Sequence, residues 1–322
     1  MRCILESYRH YGKHRVTLLA GGVGGARMAR ALRSVLDPGH LTVIVNVGDD
    51  TERYGVHVAA DPDTVLYTLA DVIGEHGWGR ENDTTEVMKT LASLGLDTSF
   101  TLGDKDLGLC IARSQLLDAG LTLSETTEHL AHQLGVTDVA LLPATNDPLR
   151  TFVEIEGGEW LPFQEYFVDR QHADPVRSVA YHGSAQANPA NGVVDAIRDA
   201  DTLVVAPSNP PLSIWPILSI DAIDSAVAKH PRRIAVSPLF GGVPLKGPAD
   251  VVMRGVGLAA GTEGVLQAYA DRIDVLYIDT ADRDDVTKLA DHAVEVIADD
   301  TRLTGPDRGA AFASRLVGGV DE

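Results

Sequence analysis

Cysteine is nearly absent from this chain, which has Cys3 and Cys110 and no other. Two cysteines so far apart in sequence do not suggest a disulfide framework, and they are too few for a cysteine-based zinc site or an iron–sulfur cluster. The histidines also lack metal-ligand spacing. His129 and His132 stand three residues apart on a predicted helix, and we expect both on its exposed side.

Positive charge is also scarce. The chain has 27 Lys and Arg against 46 Asp and Glu, a formal net charge of −19. Such a protein has no sequence-wide attraction for nucleic acid or for an anionic membrane. No stretch approaches the roughly 18 uninterrupted apolar residues of a membrane span, and the N-terminus lacks the apolar core of a secretory signal. We therefore expect a cytoplasmic protein whose partners are small molecules.

The common motifs of covalent and nucleotide chemistry are missing too. There is no G-x-S-x-G elbow and no evident Ser-His-Asp arrangement, so covalent nucleophilic catalysis is not indicated. There is also no G-K-[ST] sequence to form a Walker loop.

Near its start the chain has an apolar strand that leads through a glycine cluster into a helix, at residues 16–27. Such a turn offers backbone N–H groups and a helix N-terminus, both suited to phosphate. In a G-x-G-x-x-G dinucleotide fingerprint the third glycine would stand at position 27, where this chain has Arg27. Two interpretations stay open: a phosphate-binding turn, or a tight turn that needs its glycines only for steric reasons.

Strands and helices alternate over most of the chain, and the strands are almost wholly apolar, as in a sheet covered on both faces. We predict strands at 16–20, 41–47, 202–206, 233–237, 273–278 and 293–298, the last followed by a polar tail. Between them, residues 75–182 interrupt the alternation with helices at 84–94, 104–118 and 123–134 and short strands at 138–142, 151–156 and 162–168.

This pattern predicts an α/β fold, a Rossmann-like doubly wound parallel sheet. Residues 15–322 would form one domain, in which a mostly helical insertion at about 75–182 makes a second lobe. Residues 1–14 would be an N-terminal extension.

Four predicted strands end in polar or glycine-rich segments, at 21–25, 46–50, 207–213 and 238–244. Ligands bind at the carboxyl ends of the strands in open α/β sheets. We therefore expect these four ends to converge on one crevice.

Four carboxylates stand near that crevice. Asp49 and Asp50 follow a buried strand, whereas Asp61 and Asp63 precede a predicted helix that begins at Thr64. They could be a solvated acidic loop with Asp63 as the helix N-cap. Alternatively two of them hold Mg²⁺, which prefers carboxylate oxygens, shares its other positions with phosphates and acts as a Lewis acid.

A second charged cluster, Asp104, Lys105 and Asp106, follows Gly103 where a loop enters a predicted helix. It could be an ordinary helix cap, or it could offer Lys105 to a phosphate or carboxylate. Spacing alone does not choose between them.

Several short segments together resemble the CofD/FbiA family in order and spacing from about residue 16 to 280. They are 21–27, 45–50, 61–67, 103–106 and 206–210, with Trp78-Gly79, Arg113-Ser114, Leu142-Pro143, Phe163-Gln164-Glu165 and Ser237-Pro238. The chain departs from the family pattern at Ala60 and Pro62 and around Gly241-Gly242.

The resemblance implies an enzyme of coenzyme F420 biosynthesis. Such enzymes move a phosphoenolpyruvyl or 2-phospho-L-lactyl group from a guanosine diphosphate conjugate to the terminal hydroxyl of the deazaflavin Fo, release GMP and use Mg²⁺. The form of the glycine turn is similar to the actinobacterial branch, which implies the enolpyruvyl donor. A homodimer is implied as well.

The resemblance also implies roles for particular residues. Asp49 and Asp63 would hold Mg²⁺, and Asp50 or Asp63 would be the catalytic base. The donor would be bound by Gly22, Gly24, Gly25, Arg27, Ser208 and Asn209, and Fo by Asp63, Thr101, Asp104 and Lys105.

Two other functions are considered. One is a nucleotide-sugar-binding regulatory protein of the same superfamily, which is disfavoured because the Gly-Gly-Ser-Ser run expected after Asp49-Asp50 is missing. The other is an NAD(P)-dependent oxidoreductase, in which Asp49 or Asp50 would bind the ribose. Arg27 argues against it, because close helix–strand packing favours a small residue there.

Overall fold

A parallel sheet of seven strands lies at the centre of the protein. The structure is a computed structural model, and it describes residues 12–318. In chain order the strands are β1 Val16–Ala20, β2 Leu41–Val45, β3 Thr51–Arg53, β4 Val56–Val58, β5 Val139–Pro143, β6 Arg150–Ile155, β7 Trp160–Pro162, β8 Val176–His182, β9 Thr202–Val205, β10 Arg233–Val236, β11 Leu239–Phe240, β12 Val243–Pro244, β13 Val275–Asp279 and β14 Glu295–Asp299.

The helices cover both faces of this sheet and part of its edge. They are α1 Gly22–Arg33, α2 Ala60–Leu69, α3 Glu86–Ser93, α4 Asp104–Asp118, α5 Leu123–Gln133, α6 Val193–Asp199, α7 Trp215–Leu218, α8 Asp221–Lys229, α9 Ala249–Gly255, α10 Gly261–Tyr269, α11 Asp284–Lys288 and α12 Pro306–Gly318. Two π-helical turns, Glu165–Asp169 and Pro210–Ile214, and two 3₁₀ turns, Ala270–Arg272 and Thr280–Asp282, complete the helical segments.

The sheet has the order β14-β13-β10-β9-β1-β2-β5, and each neighbouring pair is parallel. The chain builds outward from β1 in one direction and from β9 in the other, so the topological switch point lies between β1 and β9. The predicted doubly wound α/β fold is confirmed. The four strand ends expected to converge belong to β10, β9, β1 and β2, which are consecutive in the sheet.

Alternate residues of the buried strands belong to two hydrophobic clusters, one on each face of the sheet. Leu18 and Ala20 of β1 pack with residues of α1, α2 and α12, whereas Leu19 packs on the other face with residues of α6, α8 and α10. Because both faces of β1 are covered, all five of its residues are buried and its sequence is a continuous apolar run.

The segment predicted as one inserted lobe is divided in the structure. Its helices α3, α4 and α5 do lie together in sequence, but β5 at 139–143 pairs with β2 in the main sheet. Residues 150–182 then form a three-stranded antiparallel sheet, β7-β6-β8, so the segment is less helical than predicted. The predicted strand at 162–168 is wrong, because β7 ends at Pro162 and a π-helical turn follows.

Two other local predictions are wrong. Helix α2 begins at Ala60 rather than Thr64, so Asp61, Pro62 and Asp63 lie in its first turn and Asp63 is not the N-cap. Proline is tolerated there, and acidic side chains interact well with the positive end of the helix dipole. The polar tail contains α12, which buries Phe312, Ala313, Leu316 and Val317 against the sheet and α1.

Part of the predicted N-terminal extension is not described by the structure. Of the predicted extension 1–14, residues 1–11 lie outside the described residues.

Among residues 12–318 no single helix is long and apolar enough to cross a membrane. One pair of helical segments, Pro210–Leu218 and Asp221–Lys229, meets the criteria of length and apolar composition only when taken together, and it is bent by 94°.

Candidate active site

The glycine turn between β1 and α1 is shaped mainly by close packing. Gly22 has a φ of +62°, which favours glycine, and no atom lies within 4 Å of a side chain built there. A methyl group on Gly24 would collide with the carbonyl oxygen of Pro207, and one on Gly25 would press on Ala20. The steric interpretation therefore accounts for Gly24 and Gly25, and only Gly22 faces open space.

A carboxylate already caps helix α1. The N–H of Gly22 donates to Asp61 Oδ1 at 2.7 Å, and Asn46 Nδ2 donates to Asp61 Oδ2 at 3.0 Å. The next N–H groups of the first turn, on Val23 and Gly24, have no intrahelical acceptor. Binding of a phosphate by these two N–H groups stays a prediction.

Ser208 and Asn209 lie beside the glycine turn, as the sequence predicts, but their side chains also hold the backbone. Ser208 Oγ donates to the carbonyl oxygen of Gly21 at 2.7 Å. Asn209 Oδ1 accepts the N–H of Leu212 at 3.4 Å, at the start of a π-helical turn. Their contact with a donor stays a prediction.

Arg27 lies on the side of α1 that faces α12. With Arg30, Ala31 and Ser34 it lines a narrow groove against residues 303–309. Burial and the neighbouring Arg30 lower its pKa, and within residues 12–318 it forms no ion pair. The structure thus places Arg27 in the groove against residues 303–309, and its contact with a diphosphate stays a prediction.

The four carboxylates of the predicted acidic site are all buried. Asp49, Asp50, Asp61 and Asp63 are between 3% and 6% exposed, so the interpretation as a solvated loop is wrong. Gln164, which follows β7, contacts this region: its Nε2 donates to the backbone carbonyl oxygen of Asp49 at 2.6 Å.

Burial and mutual repulsion raise the pKa of three of these acids. Burial raises the pKa of Asp61 to about 6 and that of Asp63 to about 7. The pKa of Asp49 is also raised well above its usual value, by burial and then by the charge of Asp61. Asp50 contributes repulsion to all three, so the four carboxylates share one electrostatic field. Such a field favours a bound cation.

Asp63 is held by an arginine. The guanidinium of Arg113, on α4, forms a buried ion pair with Asp63 Oδ1. Nearby, Tyr67 donates to Asp106 at 2.7 Å, and burial raises the pKa of the Cys110 thiol to about 12. Ligand atoms of Asp63, Asp106 and Cys110 lie within 4.8 Å of one another, but Arg113 already supplies positive charge there.

Two carboxylate oxygens of the site are buried without any hydrogen-bond partner, Asp49 Oδ1 and Asp50 Oδ1. Leaving such an acceptor unpaired is costly, so each calls for an explanation. They belong to consecutive residues in the loop between β2 and β3, at the carboxyl end of β2, which neighbours β1 in the sheet. Hard oxygen donors of this kind fit Mg²⁺ or an incoming hydroxyl group.

The predicted Fo-side segment is tied to a neighbouring loop. Asp104 accepts the N–H groups of Glu86 and Val87 at 3.0 Å each, and so caps α3. Asp83 in turn accepts the N–H groups of Lys105 at 2.8 Å and Asp106 at 3.1 Å, and so caps α4.

The side chains of Lys105 and Thr101 also bind backbone carbonyls. Lys105 Nζ donates to the carbonyls of Glu81 and Asn82 at 3.1 and 2.8 Å, and the exposed Thr101 donates to that of Thr98 at 3.2 Å. These side chains build the loop, and their contact with Fo stays a prediction. His129 and His132 are exposed, as predicted.

Three residues that hold the site together were not predicted as site residues: Asn46, Arg113 and Gln164. Asn46 donates to the carboxylate of Asp61, Arg113 forms an ion pair with that of Asp63, and Gln164 donates to the backbone carbonyl oxygen of Asp49. All three lie in segments through which the sequence resembles a known family, but nothing in those segments alone shows which aspartate each one contacts.

Fold and site define a doubly wound α/β protein with a buried, oxygen-rich site at the carboxyl ends of its central strands. The chain belongs to the CofD family, because the family model for 2-phospho-L-lactate transferase CofD matches residues 16–310. It is thus a CofD-type transferase.

The chain is similar to curated transferases over nearly its full length. It is 39% identical over 317 residues to a phosphoenolpyruvate transferase of Thermobifida fusca, covering 94% of this chain and 97% of the relative. It is 36% identical over 313 residues to a 2-phospho-L-lactate transferase of Methanopyrus kandleri, covering 96% and 98%. A crystal structure of a UPF0052 family protein from Bacillus halodurans shares the fold, with a TM-score of 0.65, 18% identity and coverage of 95% and 98%.

Proposed function

We propose that this protein transfers a phosphoenolpyruvyl group, or alternatively a 2-phospho-L-lactyl group, from a guanosine diphosphate conjugate to the terminal hydroxyl of Fo. The products are a coenzyme F420 precursor and GMP, and the reaction requires Mg²⁺. Family membership supports the class of reaction. The observation that carries the site assignment is the pair of unpartnered buried oxygens, Asp49 Oδ1 and Asp50 Oδ1.

In this proposal Asp49 and Asp63 hold Mg²⁺, which when bound neutralises the diphosphate and polarises the phosphorus that is attacked. The chemistry of the residues fits this ion. Asp49 has an unpartnered buried oxygen, and the charges of Asp61 and Asp50 raise its pKa further after burial has done so. Arg113 contacts Asp63 through Oδ1.

Asp50 is the proposed base. Its Oδ1 has no partner and can take the proton of the Fo hydroxyl, whereas Asp63 Oδ1 is already bound in the ion pair with Arg113. The hydroxyl oxygen forms a new bond to the phosphorus that carries the three-carbon group, and the bond from that phosphorus to the GMP oxygen breaks. Positioning and charge neutralisation are sufficient for such a displacement, and no covalent enzyme intermediate is needed.

The donor phosphates are proposed to lie against the first turn of α1, next to Pro207 and Ser208. This is supported by the N–H groups of Val23 and Gly24 and by the position of the turn at the switch point. Arg27, Asn209, Thr101, Asp104 and Lys105 stay predicted contacts of the donor or Fo. The homodimer and the cytoplasmic location likewise stay predictions.

Incubation of the protein with Fo, the guanosine diphosphate conjugate and Mg²⁺ tests the proposal, with mass spectrometry of the products. We expect GMP and the phosphodiester of Fo in equal amounts. A regulatory protein would bind the nucleotide without turnover, and an oxidoreductase would need NAD(P).

A further inference from the structure

His57 stands between two carboxylates at the edge of the site. Its Nε2 lies 3.0 Å from Asp50 Oδ2, and its Nδ1 lies 3.2 Å from Glu52 Oε1. The side chains of Asp50 and His57 are 1% and 14% exposed, whereas that of Glu52 is 65% exposed. The three residues therefore form a chain of contacts from the buried carboxylate to the surface.

The β3–β4 hairpin produces this arrangement. Glu52 of β3 pairs directly with His57 of β4, so the two side chains lie on the same face of the hairpin. Asp50 immediately precedes β3, after the turn that follows β2. The hairpin thus brings the imidazole of His57 next to the carboxylate of Asp50, the residue that precedes β3.

Helix α4 fixes the backbone of His57 from the other side. The N–H of His57 donates to Ser114 Oγ at 2.8 Å, and its carbonyl oxygen accepts from Arg113 Nη1 at 3.3 Å. The other terminal nitrogen of Arg113 binds Asp63. Arg113 therefore contacts both Asp63 and His57, the residue whose ring contacts Asp50.

We propose that His57 is the positioning residue of Asp50, and that Arg113 and Ser114 hold it in place. The inference rests on the proposed function, in which Asp50 is the base. With its proton on Nε2, His57 donates to Asp50 Oδ2 and fixes the plane of the carboxylate. Oδ1, which has no partner, is then the oxygen presented to the acceptor hydroxyl. Glu52 Oε1 can accept a hydrogen bond from the second nitrogen, Nδ1, only when that nitrogen also carries a proton, as in the imidazolium form.

Such a partner acts on catalysis through the group it orients. Loss of an outer partner of a functional ligand commonly costs about 10–100-fold in activity. For His57→Ala we expect a fall of that order in kcat, with the KM values for Fo and for the donor within about two-fold of wild type. In His57→Gln the amide nitrogen can still donate to Asp50, so we expect partial recovery of kcat.

His129→Gln is the matched control, because His129 is exposed on α5 and far in sequence from the site; we expect its kcat to equal that of wild type. Thermal unfolding of each variant separates a general loss of structure from a loss of orientation. An unchanged kcat in His57→Ala, or a fall that His57→Gln does not recover at all, would overturn the inference.

A second readout does not depend on turnover. Crystal structures of the wild type and of His57→Ala compare the orientation of the Asp50 carboxylate. We expect the carboxylate plane to rotate or to become disordered in the variant, and an identical orientation would overturn the inference. If instead the wild type formed no product from Fo and the donor, the proposed function would fail, and this crystallographic comparison would still decide the role of His57.

Discussion

Arg113 binds both Asp63 and the backbone of His57, with one terminal nitrogen on each. It is among the largest fully buried side chains of the described residues. Arg113 therefore holds Asp63, a proposed magnesium ligand, directly. It also holds the backbone of His57, whose ring contacts Asp50, the proposed base.

Removing this arginine should destabilise the protein strongly. Arg113→Met leaves Asp63 buried without its counter-charge, and breaking a buried ion pair in this way costs about 3–5 kcal/mol. Urea unfolding measures the loss. The double variant Arg113→Met/Asp63→Asn removes the unpaired charge as well, so we expect it to recover most of the stability. A single variant as stable as the wild type would contradict the buried ion pair.

The carboxylates proposed as magnesium ligands should be essential for turnover. Asp49→Asn should leave the fold intact, whereas Asp63→Asn also leaves the buried guanidinium of Arg113 unpaired and should lower the stability. We expect Asp49→Asn and Asp63→Asn each to lower turnover by orders of magnitude, because each removes a charged ligand of Mg²⁺. Steady-state assays at saturating Mg²⁺ measure the effect, with circular dichroism to check the fold. Near-normal activity in both variants would rule out the metal site.

Metal-free protein should become less stable as the pH rises from 5.5 to 8. The folded-state pKa values of Asp61, about 6, and Asp63, about 7, lie above the ordinary value of about 3.9. Groups raised in this way stabilise the folded state at low pH, and that stabilisation is lost as the pH passes through the folded-state pKa. Thermal unfolding in a chelator should therefore give a lower Tm at pH 8.

Mg²⁺ should reverse this trend. At pH 8 the ion binds the ionised carboxylates and raises the Tm, whereas at pH 5.5 protons compete with it and the gain is smaller. Asp49→Asn serves as the control and should respond weakly to Mg²⁺ at both values. An equal Mg²⁺ effect at both pH values would contradict the assignment of the carboxylates to this ion.

Two glycines on helices offer a matched test of the packing at the turn. Gly24→Ala places a methyl group against the carbonyl oxygen of Pro207, so we expect loss of stability and weaker donor binding. Gly108→Ala, on the exposed side of α4, meets no atom within 4 Å and should stabilise by about 0.5–1 kcal/mol. If both variants were stabilised, α1 would not pack against the end of β9 as described.

The sheet was predictable because its strands are apolar on both faces and end in polar segments. The four ends at 21–25, 46–50, 207–213 and 238–244 do lie on neighbouring strands. The strand predicted at 138–142 was placed in the inserted lobe because it lies in a segment, 75–182, that interrupts the alternation of strands and helices, and only its pairing with β2 shows that it belongs to the main sheet. Such pairing depends on distant residues, which a local pattern does not contain.

The site was predicted in its carboxylates but not in their partners. Asp49, Asp50, Asp61 and Asp63 stand out in the sequence as acids next to strand and helix ends. Contacts such as Asn46 with Asp61, Gln164 with Asp49 and Arg113 with Asp63 join residues 15 to 115 positions apart. The sequence also does not show that Asp104 caps α3, since that contact depends on how the loop at 81–87 folds back onto α4.

The most direct test of the central claim is the formation of GMP from the guanosine diphosphate conjugate, measured with and without Fo and with and without Mg²⁺, in the wild type and in Asp50→Asn. The account predicts rapid GMP release only when Fo and Mg²⁺ are both present, and a loss of several orders of magnitude in Asp50→Asn. GMP release by the variant at the wild-type rate would contradict it, as would a wild type that forms no Fo product.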